Sequence, residues 1–200
     1  QSTRKTAISR GRGLFKMHRQ NKLFLTMYLS FIFAAQMLSP LYAIYVVKIG
    51  GDILAAGSAL SIFMLISGLG ILLMGKIEDK FKKDKPFIIL GYSFISLGFL
   101  GYFFIENTLQ LFMVQVILGA GTMILVPARD SFYTKYLERG RFASQWATWE
   151  GLMYIAGGIA ALTGAFLAKI FGFRTLFLIM FFISLFGLAV ATRLKDKNEH

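Results

Sequence analysis

Long uncharged runs alternate with short polar segments along the whole chain. Six such runs are present: 23–47, 53–75, 86–105, 107–128, 142–168 and 175–192. Glu150 is the only charged residue inside any of them. A helix on a water-soluble protein shows a polar stripe with a period of about 3.6 residues, and these runs show none. Because a helix needs about 20 apolar residues to cross a bilayer core, the pattern predicts an all-α, polytopic membrane protein with six transmembrane helices.

Composition narrows the class of protein. Hydrophobic residues make up 56% of the 200 residues and charged residues 16%, a balance that ordinary soluble domains do not show. Strands of a closed membrane barrel alternate over about 10 residues, whereas these runs are continuous and longer. The chain has no cysteine, and His18 and His200 lie outside the runs. Neither a disulfide nor a histidine-based metal site is therefore expected.

Positive charge is distributed unevenly between the two sides of the predicted membrane. Of the 22 Lys and Arg residues, 19 lie in alternate segments, namely 1–22, 75–85, 129–141 and 193–200. Only Lys48, Lys169 and Arg174 lie on the other side. This bias predicts that both termini are cytoplasmic, in a cell inner or plasma membrane. The net charge of +12 then reflects topology and contact with anionic membrane lipids, and nucleic acid is the less favoured partner.

The chain divides into three predicted regions, and the middle one contains two similar segments. A basic cytoplasmic tail covers 1–22, a six-helix transmembrane domain covers 23–192, and a second cytoplasmic tail covers 193–200. Within the domain, FISLGFLG begins at Phe94 and FISLFGLA begins at Phe182. These segments favour a three-plus-three repeat, an organisation that many transporters use. Chance similarity is the open alternative, because these residue types are common in membrane helices.

The stretch GKIEDKFKKDK at 75–85 separates the second and third runs. It resembles the signature loop of the major facilitator superfamily, Gly-x-x-x-Asp-Arg/Lys-x-Gly-Arg/Lys-Arg/Lys, which joins the second and third helices of that family. Four positions agree with the pattern: Gly75, Asp79, Lys80 and Lys83. Lys82 replaces the second glycine, and Asp84 stands where a basic residue is usual. The resemblance implies one six-helix half of a major facilitator fold.

In that family the loop acts as a cytoplasmic latch. Its Asp meets the positive end of a helix in the other half, an arrangement favoured by the helix dipole and by charge-assisted hydrogen bonds. Gly75 is expected to permit close helix approach. By resemblance, Arg129 and Asp130 on the same membrane side are candidate partners of Asp79 and Lys80. The alternative for this pair is interfacial charge that faces lipid.

The resemblance also implies a missing second half. Family members usually have twelve helices in two halves and bind substrate between them, whereas this chain supplies six. An isolated half would expose polar groups to lipid, so we expect a homodimer with a two-fold axis along the membrane normal. We expect a secondary transporter that moves a small solute by alternating access. One half of a split transporter, or a non-transporting membrane scaffold or assembly protein, are the alternatives.

Polar residues in the first and fourth runs are candidates for the substrate cavity, because the family resemblance implies that these two helices line it. Gln36 lies near the middle of the first run. Gln115 and Thr122 share one face of the fourth. Polar side chains at this depth tend to face protein or water. Hydrogen bonding between helices is the competing interpretation.

The charge in the fifth run has aromatic neighbours. Glu150 is flanked by Trp149 and lies one turn from Tyr154. A carboxylate in the membrane is a candidate carrier of a coupling proton, or it attracts a cationic substrate with help from the aromatic rings. An interfacial aromatic belt explains the same residues. The runs contain no Walker loop and no catalytic grouping, so neither enzymatic activity nor a cofactor is expected.

Overall fold

The computed structural model describes residues 19–196, and in this part of the chain the regular structure is helical with no strand. The helices are α1 (Arg19–Leu38), α2 (Tyr42–Lys48), α3 (Ile53–Phe81), α4 (Lys85–Phe103), α5 (Thr108–Lys135) and α6 (Phe142–Ala191). Most of the tail predicted at 1–22, and the end of the tail predicted at 193–200, lie outside the described residues. The prediction of an all-α chain is confirmed.

The first membrane segment bends at a proline. A short 3-10 helix, Ser39–Leu41, separates α1 from α2. Pro40 lacks the N–H that an α-helix requires and its ring collides with the preceding turn, which explains the local change of helix type. Together α1, the 3-10 helix and α2 form one apolar segment, Arg19–Lys48. The turn sets the direction in which α2 presents Tyr42 and Tyr45.

The fifth and sixth uncharged runs form one long helical range. The helix α6 contains 50 residues and is interrupted at Gly172, whose φ of 80° and ψ of 169° are not helical. Only glycine adopts such a conformation readily. Five helical segments among residues 19–196 are therefore long and apolar enough to cross a membrane. The count of six separate membrane helices stays a prediction.

Before Gly172, α6 follows α1 from its beginning toward its end. The rings of Trp149 and Phe24 stack with centroids 5.1 Å apart. Farther along, Gly164 packs so tightly on the backbone of Met37 that any side chain at this position would collide with it. A glycine at such a crossing allows two membrane helices to approach closely.

Beyond Gly172, α6 returns along the same helices. Phe177 packs edge-on against Tyr45 with centroids 4.8 Å apart. At the far end, the backbone N–H of Lys195 donates to Oε1 of Gln20, 3.1 Å away. The two parts of α6 therefore run in opposite directions, and both ends of the described chain meet at one end of the bundle.

The loop at 75–85 lies at the end of the bundle where the two ends of the described chain meet, since the backbone N–H groups of Asp84 and Lys85 donate to the carboxylate of Asp196. We call this end of the bundle the motif end. At the opposite end, Lys48 lies over the ring of Phe173 at 5.3 Å. Which of these ends faces the cytoplasm stays a prediction.

The echoed segments meet in the core. Ser96 is the third residue of the first segment and Ser184 the third residue of the second. Their hydroxyl oxygens lie 2.5 Å apart, and both residues are buried. A hydroxyl pair is a favourable contact between membrane helices, because each group satisfies the other. Equivalent positions of the echo thus face one another across α4 and α6.

Close glycine contacts join the other helices, but Gly75 is not among them. Gly91 and Gly121 bring the backbones of α4 and α5 together, since a Cβ on Gly91 would lie 2.9 Å from the carbonyl oxygen of Gly121. Around Gly75 no atom lies within 4 Å of an added Cβ. The expected close approach at Gly75 is therefore not made within the described part of the chain. That side of α3 is open to lipid or to another protein.

Candidate functional site

A cavity of about 320 Å³ lies among the helices, away from the motif end. Each described helix contributes to its wall. The bend at Pro40 turns α2 toward α4 and α5, so that Tyr42 reaches this wall. The lining residues are Phe31, Ala35, Gln36, Leu38, Ser39, Tyr42, Leu60, Phe63, Ile95, Phe99, Tyr102, Gln115, Leu118, Thr122 and Met180. Its volume falls in the range of small-molecule pockets.

Gln115 is the centre of a hydrogen-bonded group in this cavity. Its side-chain nitrogen Nε2 donates to the hydroxyl of Tyr42 at 2.8 Å and to the hydroxyl of Tyr102 at 2.9 Å. Gln115 is only 4% exposed, so these bonds compensate for removing the amide from water. We call the three residues the amide triad. They come from α2, α4 and α5, and the triad therefore ties three elements together.

The structure brings together three residues that the sequence proposed for the cavity. Gln36 and Thr122 line the same space as Gln115. Gln36 also borders α6, since its Cγ would be 3.4 Å from a Cβ on Gly157. The two tyrosines of the triad were missed by sequence reasoning. A signal was present, because each is an aromatic residue with a polar tip inside an apolar run.

The other three proposed cavity residues do not line this space. Trp149 is buried against Tyr28, with ring centroids 4.7 Å apart. Glu150 is exposed, and Tyr154 is 79% exposed. Successive helical residues point about 100° apart, so α6 cannot turn Trp149 toward α1 and also direct Glu150 inward. Their assignment to a substrate cavity is therefore not supported within this chain.

Arg129 sits between the cavity and the motif end, seven residues beyond Thr122 on α5. Its guanidinium lies 4.7 Å from the ring centre of Tyr28 and 5.9 Å from that of Trp149. It also donates to the Tyr28 hydroxyl and, at 2.7 Å, to the carboxylate of Asp130. Aromatic faces and a carboxylate are the groups that compensate a partly buried cation. Arg129 is therefore held within its own half of the fold.

The pairing expected for the signature loop is not formed in the described chain. Asp79, Lys80 and Lys83 are exposed. Neither Asp79 nor Lys80 makes an ion pair with another residue of 19–196, and Arg129 pairs with Asp130 instead. The expected pairing of Arg129 and Asp130 with Asp79 and Lys80 is therefore not made among residues 19–196, and such a pairing between two halves stays a prediction. The reason is direction: Asp79 faces away from the bundle, whereas Arg129 lies under α1 and α6.

The ion pair at the loop involves the residue that departed from the family pattern. Asp84 is 6% exposed, and its two carboxylate oxygens lie 3.1 and 3.0 Å from Nζ of Lys135. The carboxylate of Asp196 accepts from the N–H groups of Asp84 and Lys85, at 3.1 and 2.9 Å, and so caps α4. A carboxylate at a helix N-terminus is favoured by the helix dipole. This arrangement connects α4, α5 and the C-terminal segment.

Further hydrogen bonds join both chain ends to the same place. Nδ2 of Asn21 donates to the carbonyl of Tyr136 at 3.0 Å, and the Tyr136 hydroxyl donates to the carbonyl of Lys195 at 2.8 Å. Burial raises the pKa of Tyr136, with smaller contributions from Asp196 and Asp84. We call this set of contacts the terminal clasp: Gln20, Asn21, Asp84, Lys85, Lys135, Tyr136, Lys195 and Asp196. The last described residues are therefore packed on the bundle.

One buried acid of the signature loop has no role in these contacts. Glu78 is 8% exposed, and neither carboxylate oxygen has a hydrogen-bond partner among residues 19–196. Sequence reasoning did not single out Glu78, because it stands at an unspecified position of the family pattern, whereas Asp79 matches that pattern and Asp84 departs from it. In the same part of the chain, no three His, Cys, Asp or Glu residues group as a metal site.

Two kinds of curated relative resemble the chain. It is 25% identical over 163 residues to the multi-drug resistance efflux pump PmrA of Streptococcus pneumoniae, covering 78% of this chain and 39% of the pump. It is 26% identical over 162 residues to the uncharacterized MFS-type transporter YitZ of Bacillus subtilis, covering 76% of this chain and 94% of YitZ. The chain thus spans about two fifths of PmrA but nearly all of YitZ.

A family model gives broader coverage than these pairwise matches. The model of the Major Facilitator Superfamily matches residues 24–200, which includes every helix described above except the first few residues of α1. The long apolar helices are those of an integral membrane protein. The chain therefore belongs to the Major Facilitator Superfamily.

Proposed function

We propose that the chain is one half of a secondary transporter that moves a small solute across the membrane. The observation that carries this proposal is the amide triad, a buried polar group that lines a cavity inside an otherwise apolar bundle. Polar groups at such a depth mark substrate pathways in membrane proteins. The names of the relatives, an efflux pump and an MFS-type transporter, support the same activity.

Within this proposal the chain crosses the membrane six times. The support is the opposite direction of the two parts of α6, together with the glycine break between them. A three-plus-three repeat fits the same topology. Its support is the facing pair Ser96 and Ser184, which occupy equivalent positions of the echoed segments. Both termini are then on one side, and the positive-inside bias makes that side the cytoplasm.

The transporter is proposed to assemble as a homodimer. YitZ is matched over 94% of its length by this chain, which supports a half-size form of the fold. The membrane face of α3 also leaves a row of apolar side chains exposed, at Met64, Leu65, Leu69, Leu72 and Leu73. In a dimer, two such faces would enclose the cavity from both sides and remove its polar groups from lipid. A split transporter with a different second half is the alternative.

Alternating access supplies the mechanism. The two halves would rock against each other so that the cavity opens to each side in turn. Gly75 leaves room for a helix of the second half, and Asp79, with Lys80 and Lys83 beside it, is exposed toward that space. These residues would latch the cytoplasmic side when the halves close. Glu150, exposed on α6, remains the candidate for a coupling proton, and Tyr154 would face the partner beside it.

Reconstitution in liposomes tests the proposal directly. Purified protein is inserted into the liposomes, a proton gradient is imposed, and the movement of a panel of neutral, cationic and anionic small solutes is measured. In a second experiment, the mass of the complex in detergent gives the number of copies. We expect at least one solute to move, and movement to be lost in Gln115→Leu while two copies stay associated. If no solute moves and Gln115→Leu behaves as the native chain in cells, the protein is a membrane scaffold instead.

A further inference from the structure

The lining of the cavity carries no charged side chain in the part of the chain that the structure describes. The nearest cation on α5, Arg129, is two turns beyond Thr122 and is already compensated by Asp130 and by the Tyr28 ring. Glu150 is exposed on α6 and does not line the cavity. An ion transferred into this space would lose its hydration and gain no counter-ion, which is strongly unfavourable.

Hydrogen-bonding capacity remains after the amide triad has formed. A tyrosine hydroxyl that accepts a hydrogen bond still has its own proton to donate. Tyr42 and Tyr102 both accept from Gln115, so each can donate to a bound molecule. The amide oxygen of Gln115 accepts no hydrogen bond from the described residues. The triad thus presents two donors and one acceptor at fixed positions.

Aromatic rings form much of the remaining wall. Phe31, Phe63 and Phe99 line the cavity together with the two tyrosines of the triad. Aromatic side chains favour stacked or edge-on contacts with another ring. Rings and a small set of convergent polar groups are the usual features of a pocket for a compact organic molecule.

We infer that the cavity binds a neutral aromatic solute that carries a hydroxyl or carbonyl group, and that it discriminates against ions of either sign. This inference rests on the proposed function and names the substrate class of the same cavity. The solute's polar group exchanges hydrogen bonds with the amide triad, and its ring packs on the phenylalanines. Discrimination follows from the missing counter-charge, since the hydrogen bonds serve a neutral group without further compensation.

Three probes with the same naphthalene ring test the inference: 2-naphthol, 2-naphthalenesulfonate and N,N,N-trimethyl-2-naphthylammonium. Their binding to the purified full chain in detergent is measured by equilibrium dialysis at neutral pH, where 2-naphthol is uncharged. We expect 2-naphthol to bind at least tenfold more tightly than either ion. Tighter or equal binding of the ammonium probe would show that the aromatic wall selects cations and would overturn the inference, as would equal binding of the sulfonate.

Variants locate the binding in the cavity. Gln115→Leu and Tyr102→Phe each remove part of the triad and should weaken 2-naphthol binding about fivefold to tenfold, the usual effect of one lost hydrogen bond. Gln110→Leu is the matched control, since Gln110 lies on the same helix but bonds to the N–H of Glu106 outside the cavity. An equal loss in Gln110→Leu would assign the effect to general damage and reject the cavity as the site.

A designed counter-charge gives a second readout if the triad variants do not fold. Ser39 lines the cavity from the 3-10 helix and is exposed, so Ser39→Asp should be tolerated. We expect this variant to bind the ammonium probe at least tenfold more tightly than the native chain does. An unchanged affinity would mean that the missing counter-charge does not set the selectivity.

The outcomes separate this inference from the proposed transport. Selective 2-naphthol binding without solute movement in liposomes would leave the substrate class standing and remove the transport proposal. If ions move through the liposome membrane as fast as neutral solutes or faster, the transport proposal stands and the inferred substrate class is rejected.

Discussion

The cavity and the motif end stabilise their polar groups in opposite ways. In the cavity, Gln115 is satisfied by two neutral hydroxyls. At the motif end, Asp84 is satisfied by the ammonium of Lys135, and the nearby α4 terminus by the carboxylate of Asp196. Charge is very costly deep in a bilayer and less so near its surface, but Asp84 is buried in the protein even at this end and therefore needs its ion pair. The comparison teaches that depth decides the chemistry: neutral hydrogen bonds inside, ion pairs at the end.

Arg129 marks the boundary between these two regions. It carries a charge, as the motif end does, but part of its compensation comes from aromatic faces, which the cavity also uses. Removing a polar residue should therefore cost most where a buried charge is left behind, and least where water can replace the lost partner. The following four predictions test that order, from the largest expected loss of stability to the smallest.

Asp84→Ala should have the largest effect. It leaves the ammonium of Lys135 without its carboxylate, and breaking a largely buried ion pair costs about 3 kcal/mol. The thermal unfolding midpoint of the purified protein in detergent measures the loss. Lys83→Ala, an exposed neighbour, should stay within about 0.5 kcal/mol of the native chain.

The double variant Asp84→Ala/Lys135→Met sharpens this result. Because the second change removes the ammonium that Asp84 neutralised, it should recover part of the stability lost in Asp84→Ala. If Lys135→Met lowers the stability of Asp84→Ala as much as it lowers the stability of the native chain, the ion pair does not account for the effect.

Arg129→Met should be next, at about 2 kcal/mol, since it removes the cation–π contacts and the bond to the Tyr28 hydroxyl. Arg129→Lys keeps the charge but not the planar group that stacks on the rings, so it should lose about half as much. Unfolding midpoints and Trp fluorescence, to which the neighbouring Trp146 and Trp149 both contribute, measure both variants. Equal stability of Arg129→Lys and the native chain would mean that charge alone matters here.

Gln115→Leu should cost about 1 kcal/mol of stability, because the change leaves no charge behind and the tyrosine hydroxyls lose only one neutral partner. Its effect on solute movement in liposomes should be far larger than its effect on the unfolding midpoint. A loss of stability as large as that of Asp84→Ala would contradict the contrast between the two regions.

Asp196→Ala should be the mildest change. It removes the acceptor at the start of α4, and losing a helix cap costs about 1 kcal/mol, here at two N–H groups that are only partly buried. Asp196→Asn keeps a side-chain oxygen and should lie between the alanine variant and the native chain. Hydrogen exchange at the Asp84 and Lys85 amides measures the cap locally, and unchanged exchange in Asp196→Ala would show that the cap is not formed in solution.

Several features were predictable because they depend on composition along the chain. Apolar runs of membrane length need no tertiary information, and neither does the spacing from Gly75 to Asp79 that indicates the superfamily. Gln36, Gln115 and Thr122 were chosen as rare polar residues deep in their runs, and the structure places them around one cavity. The residues FISL at Phe94 and Phe182 suggested a repeat, which stays a prediction, while Ser96 and Ser184 of these two segments lie in contact.

Other features required the packing of the helices. A run that is apolar on every face gives no sign of which side turns inward, so the inward position of Trp149 and the outward position of Glu150 were not readable. The same holds at the loop, where three acidic residues lie within seven positions and only Asp84 forms an ion pair with another described residue. Tyr42 reaches Gln115 because the bend at Pro40 redirects α2, and Asp196 reaches α4 because α6 reverses at Gly172.

The amino-acid sequence by itself thus determined that this protein is an α-helical membrane protein of the Major Facilitator Superfamily, since hydropathy and a short motif are local properties. Only the tertiary structure decided which polar residues meet, because that depends on how each helix is rotated and where the chain turns. For helices without a polar stripe, rotation is set by close packing at residues such as Gly91, Gly121 and Gly164, and not by contact with water.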